Sequence, residues 1–213
     1  MPGVSTASRS ASVERTVMLT DAVVAIAMTL LVLPLVEAVP EVDLGDVWAF
    51  VDDHLSLFVS FAVSFLVILL FWAAHQRLFE LVADMTTGLR LLNSLWLMLV
   101  AFLPFPTALI GRGPTTSTVP IYIGTVLALS VVSASMTEMT RRLVADEAAA
   151  RYLRLRAITA WVSVGVLAVC AVVSAFAADL GLLGLLLIVP VRLVGGRWSR
   201  ESQSEGLAKQ AAQ

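Results

Sequence analysis

Charge is scarce in this chain. Asp, Glu, Lys and Arg make up 14% of its 213 residues, against roughly 25% in soluble domains. Hydrophobic residues make up 59% and the mean hydropathy is +0.91, so a soluble globular protein is all but excluded. The 14 basic and 16 acidic residues nearly cancel, and no whole-chain positive field points to nucleic acid as a partner. Cys170 is the only cysteine, which rules out an internal disulfide and a thiolate metal cluster. Enzyme signatures are missing as well: there is no Gly-rich phosphate loop, no His-Glu-x-x-His helix and no nucleophile elbow. The two histidines, His54 and His75, lie far apart. Neither an enzyme nor a cofactor is expected. No internal repeat is visible, and with it the inverted-repeat signature of many secondary transporters is missing.

What the chain does have is long apolar runs. Residues 17–36, 56–74, 91–110, 119–138, 157–177 and 180–194 form six stretches read as membrane helices. The fold class is therefore an all-α membrane protein with six transmembrane helices. Such helices of about 20 residues use roughly 120 residues, leaving about 90 for tails and connections. The first run follows a Ser- and Ala-rich start and lacks a convincing small-residue cleavage site, so it reads as a retained helix rather than a signal peptide. Only Ala178 and Asp179 separate the fifth stretch from the short sixth, which requires a tight turn or a tilted span. Pro104 and Pro106 interrupt the third near its outer end, Pro34 and Pro40 frame the exit of the first, and Gly181 and Gly184 give the sixth a close-packing face.

Basic residues set the orientation. With a cytoplasmic N-terminus, 13 of the 14 Arg and Lys residues fall inside and only Arg112 outside, a strong positive-inside bias. Both termini are then cytoplasmic. The first outer loop collects Glu37, Glu41, Asp43, Asp46, Asp52 and Asp53; such a loop can draw cations to a mouth, although acidic outer loops also occur without that role. Residues 137–156 read as a solvated helical connection on the inner side, with pairs such as Glu147 and Arg151 at i, i+4.

The first helix holds the unusual residues. Arg15 and Asp21 bracket its inner end, with Thr20 beside Asp21; a carboxylate there is costly unless paired or wet. One reading is a capped, charge-paired helix end; the other is a polar network that fixes the helix. Beyond it, Ile26, Leu30 and Leu33 form a stripe at i, i+4 and i+7 with Thr29 at its edge. By composition alone such a stripe is more often helix packing than pore lining. His75 could equally be an interfacial histidine, and Trp72 an aromatic-belt anchor.

The segment Arg15-Thr16-Val17-Met18-Leu19-Thr20-Asp21 resembles the first-helix motif of the transmembrane protein 175 family: Arg, three residues, then Phe-Ser-Asp. Leu19 stands for the family's Phe and Thr20 for its Ser. Two later stretches resemble the same family: Phe71-Trp72-Ala73-Ala74-His75-Gln76-Arg77 closing the second helix, and Leu92-Asn93-Ser94-Leu95-Trp96 leading to Leu103-Pro104-Phe105-Pro106 in the third. The resemblance implies a potassium-favouring cation channel of the cell membrane, passive and without a cofactor, assembled as a homotetramer whose first helices line the pore. It implies further that Ile26, Leu30 and Leu33 form hydrophobic constrictions able to gate by dewetting and that Thr29 tunes cation preference. Arg15, Thr20, Asp21, Trp72, His75 and Asn93 then form a polar network that holds the pore helix, with His75 sensitive near its unperturbed pKa of about 6.5. The domain division that follows is a tail at 1–12, a channel domain at 13–197 and a polar tail at 198–213. The alternative is a secondary transporter or proton pathway that uses Asp21 and His75.

Overall fold

The computed structural model describes residues 6–42, 45–144 and 146–177. Nearly all of them are helical. In chain order the helices are α1 (Thr6–Leu30), α2 (Leu33–Glu37), a 3-10 turn (Val39–Glu41), α3 (Val47–Asp53), α4 (Leu55–Phe79), α5 (Thr87–Phe102), α6 (Pro104–Gly111), α7 (Thr118–Leu143) and α8 (Glu147–Ser174). Five segments are long and apolar enough to cross a membrane: Ala11–Glu41, Leu55–Phe79, Thr87–Gly111, Thr118–Leu143 and Glu147–Ser174. The chain is a multi-pass membrane protein. The sixth expected stretch, 180–194 with Gly181 and Gly184, lies outside the described residues.

Local chemistry explains the breaks. Pro34 sits in the first turn of α2, where its missing N–H costs no intrahelical bond. Pro104 likewise opens α6, so the third expected helix divides at Leu103 but continues in the same span. Starts are capped by side chains: Asp46 accepts from Ala49 N at 3.0 Å, Thr86 from Leu89 N at 3.2 Å and Asp146 from Ala149 N at 2.8 Å. Each cap contributes about 1 kcal/mol. The connection expected over residues 137–156 is shorter than the sequence suggests. α7 runs on to Leu143 and α8 begins at Glu147, so most of residues 137–156 extends the two spans.

Packing centres on α7. It lies against α5, α6 and, most extensively, α8, while α1 packs on α4 and α5. Small residues on α7, among them Ser130, Ala134 and Thr137, are buried; they let backbones approach closely where lipid supplies no hydrophobic drive for association. The core is filled by Ile68, Phe71, Leu89, Trp96, Tyr122, Ile123 and Leu153. Towards the outer end, a buried set of hydroxyls joins three helices. Ser64 Oγ donates to Tyr122 Oη at 3.1 Å and accepts from Thr107 Oγ1 at 2.8 Å. At Gly111 the backbone of α6 comes so close to α4 that an added Cβ would lie 2.7 Å from Leu57 Cδ2 and 2.8 Å from Ser60 Oγ. Ser56 Oγ donates to its carbonyl at 2.7 Å.

Candidate functional site

One turn near the C-terminal end of α4, residues 72–76, gathers polar side chains from α1 and α5. Trp72 Nε1 donates to Asp21 Oδ1 at 2.8 Å, and Gln76 Nε2 donates to the same oxygen. Trp72 and Gln76 are four residues apart and share a helix face, so they grip one carboxylate together. Asp21 is half-buried; two donors are what a carboxylate at this depth requires.

The other side of the turn carries a directional chain. His75 Nε2 lies 2.7 Å from Asn93 Oδ1, Asn93 Nδ2 donates to Thr20 Oγ1 at 3.4 Å, and Thr20 Oγ1 donates to Thr16 O at 2.8 Å. An amide oxygen can only accept, so the imidazole proton belongs on Nε2. Nδ1 is then left as a buried lone pair with no hydrogen-bond partner. His75 is only 4% exposed, which fits a packed core group and not an interfacial histidine. Its ring stacks on Phe79 at 4.2 Å between centroids and tilts against Trp96 at 4.6 Å. Trp96 Nε1 in turn donates to Ser133 Oγ on α7 at 3.1 Å.

The structure thus brings together Thr20, Asp21, Trp72, His75 and Asn93, and adds Gln76, to which the sequence reading gave no role. Arg15 stands apart. It is exposed, and no hydrogen bond or ion pair joins it to this cluster among the described residues. Geometry accounts for this: six residues at about 100° each put Arg15 and Asp21 about 120° apart around the helix, on different faces. Arg15 falls instead in line with Ile26.

That second face of α1 is open in the single chain. Ile26 is 60% exposed and Leu30 45%, Thr29 is exposed beside them, and past the break Leu33, at the start of α2, is 49% exposed. The opposite face buries Thr20, Val24, Ala27 and Leu31. Thr29 Oγ1 donates its proton to Ile26 O at 2.7 Å, so the oxygen presents only lone pairs outward. At the outer end, Asp46 serves as a cap and Glu41 Oε2 lies 3.2 Å from His54 Nε2. Among the described residues, no group of three His, Cys, Asp or Glu side chains is placed to hold a metal ion.

Comparison with known proteins gives this arrangement its context. The profile of the family described as endosomal/lysosomal potassium channel TMEM175 matches residues 15–104. A Chamaesiphon minutus protein named potassium channel is 39% identical over 53% of this chain and 58% of its own length. A Streptomyces collinus protein also named potassium channel is 40% identical over 43% of this chain and 44% of its own. The aligned part of the chain thus spans about half the length of these relatives. The crystal structure of a lysosomal potassium-selective channel TMEM175 homologue from Chamaesiphon minutus superposes with a TM-score of 0.74 at 25% identity, covering 86% of this chain and 97% of that one. The profile match takes in α1, α4 and α5, the helices that supply the polar cluster. Over residues 15–104 this chain is similar to the TMEM175 family, a family of ion channels and not of enzymes.

Proposed function

We propose that the chain is one subunit of a passive, potassium-favouring cation channel of the cell membrane. In this reading residues 13–197 form the channel domain with six spans and both termini cytoplasmic, and four copies place their α1 helices around one path. Ile26, Leu30 and Leu33 are its apolar constrictions. Thr29 is the polar group nearest the constriction.

The observation that carries the reading is the two-sidedness of α1. One face is tied through Asp21 and Thr20 to α4 and α5, while the other exposes an apolar stripe with one hydroxyl. A helix packed in the middle of a bundle would bury both faces. A channel helix needs one face held and one face bare. An apolar constriction has no carbonyl cage to replace an ion's water, so discrimination rests on partial dehydration, and the lone pairs of Thr29 offset part of that cost. Arg15, on the bare face, belongs to the inner mouth and not to the anchoring cluster.

Purified protein in potassium-loaded liposomes, assayed for flux into potassium or sodium, tests this directly. Flux that favours potassium, does not saturate with concentration and comes from a particle of four chains is the expected result. Saturating, solute-coupled transport would overturn it in favour of a carrier.

A further inference from the structure

Arg156 belongs to none of the parts described so far. It lies ten residues into α8, and its guanidinium reaches across to α4, where Nη2 donates to the carbonyl oxygen of Ala74. Ala74 sits in the middle of the 72–76 turn, next to His75 and two residues from both Trp72 and Gln76. α8 itself packs on α7 and has no comparable backbone contact with α4. The bond is therefore a long reach between helices that do not otherwise lean on each other. A cation at this depth is costly unless it is engaged, and an ionisable residue in a membrane helix marks function more often than packing. Arg156 Nη1 and the nearby His75 Nδ1 are both buried without a hydrogen-bond partner. A region meant only to be rigid would satisfy such groups.

We infer that Arg156 is a positioning residue for α1: by holding Ala74 O it fixes the α4 turn whose side chains hold Asp21 and reach Asn93. The inference rests on the reading of α1 as the pore helix. Its consequence is a path from the cytoplasmic connection to the pore. Leu143 and Glu147 end and begin the two helices of that connection, and Arg156 lies less than three turns beyond it. Movement of the connection shifts α8, α8 shifts the α4 turn through one bond, and the turn shifts α1 through Asp21. The other charged and titratable groups near Arg156 are Tyr152, Arg77 and His75. None of them is a carboxylate; Tyr152, one turn back on α8, also hydrogen-bonds the guanidinium, and Ala74 O is the acceptor that links it to another helix.

The test is single-channel recording of the reconstituted full chain with R156Q, R156K, W72F and the double variant R156Q/W72F. R156Q is expected to shift open probability by about fivefold or more, the lower range of coupling between linked sites, at unchanged unitary conductance. R156K keeps one donor for Ala74 O and is expected to restore most of the wild-type behaviour. W72F loosens the same turn, so the double variant is expected to shift no further than the larger single one. An assembled R156Q with wild-type open probability, an R156K that behaves like R156Q, or additive effects in the double variant would each overturn the inference. Should R156Q not assemble, R156M removes the cation without leaving a polar group stranded; failure of both to assemble assigns Arg156 to folding and also overturns it. Absence of current in the wild type would instead count against the channel reading.

Discussion

Replacing Asp21 by Asn is the most direct test of how α1 is held. The carboxylate accepts from Trp72 Nε1 at 2.8 Å and from Gln76 Nε2 on one oxygen. Hydrogen bonds to a charged group are worth about 1.5–3 kcal/mol each, and neutral ones about 1 kcal/mol. Asn keeps an acceptor oxygen of the same shape but removes the charge from both bonds, so the loss is about 2 kcal/mol. Asp21→Leu removes the acceptor altogether and strands two donors, which raises the cost to about 4 kcal/mol. For a chain of this size about 1 kcal/mol corresponds to roughly 2–4 °C in Tm. Asp21→Asn is therefore expected to lower the melting temperature of the detergent-purified assembly by about 4–8 °C, and Asp21→Leu by about twice that. Thr29→Val, on the open face, is the control and should not move it. Tryptophan fluorescence follows the transition, with Trp72 one of five reporters. Equal melting temperatures for wild type and both Asp21 variants would refute the argument that these bonds fix the helix.

Three further outcomes follow from the same geometry. Ile26→Asn puts an amide on the exposed stripe, wets the constriction and raises cation flux from liposomes roughly fivefold, the effect of lowering a barrier by about 1 kcal/mol; unchanged flux would remove Ile26 as the gate. Thr29→Ala deletes the outward lone pairs and should pull the potassium-to-sodium permeability ratio towards one, measured from reversal potentials; an unaltered ratio would end its role in selectivity. Gly111→Ala forces a Cβ to within 2.7 Å of Leu57 Cδ2 and 2.8 Å of Ser60 Oγ, and overpacking of this kind costs about 1–3 kcal/mol. It should show as a lower melting temperature with ion preference unchanged.

Much of the cluster is legible in the sequence because polar side chains inside apolar helices are expensive and must meet one another. Thr20, Asp21, Trp72, His75 and Asn93 stand out for that reason. Gln76 could have been found by its spacing from Trp72, since i and i+4 share a face. Arg15 could have been separated from Asp21 by the same arithmetic. Arg156 was hidden by its neighbours: with Arg151 and Arg154 it looks like part of a solvated connection, and only the start of α8 at Glu147 places it inside a span. Nor is the expected ion pair between Glu147 and Arg151 formed among the described residues. Glu138 instead binds Arg141 at 2.6 Å and Arg142 at 3.0 Å. Choosing between such partners depends on rotamers and on the face each helix turns to its neighbours, which a linear pattern does not carry.

The placement of the ties on α1 has a mechanical consequence. They sit at Thr20 and Asp21, whereas Ile26, Thr29, Leu30 and Leu33 are about one and a half to three and a half turns further along the chain and carry no side-chain bond to another helix among the described residues. Beyond Leu30 the helix breaks at Leu31 and Val32 before Pro34. Rotating α1 by about 100°, one residue's step, would exchange Ile26 for a neighbour at the constriction. On the proposed reading, the polar cluster would act on conduction without touching an ion. Substitutions there should alter how often the path is open, and substitutions on the stripe should alter what passes.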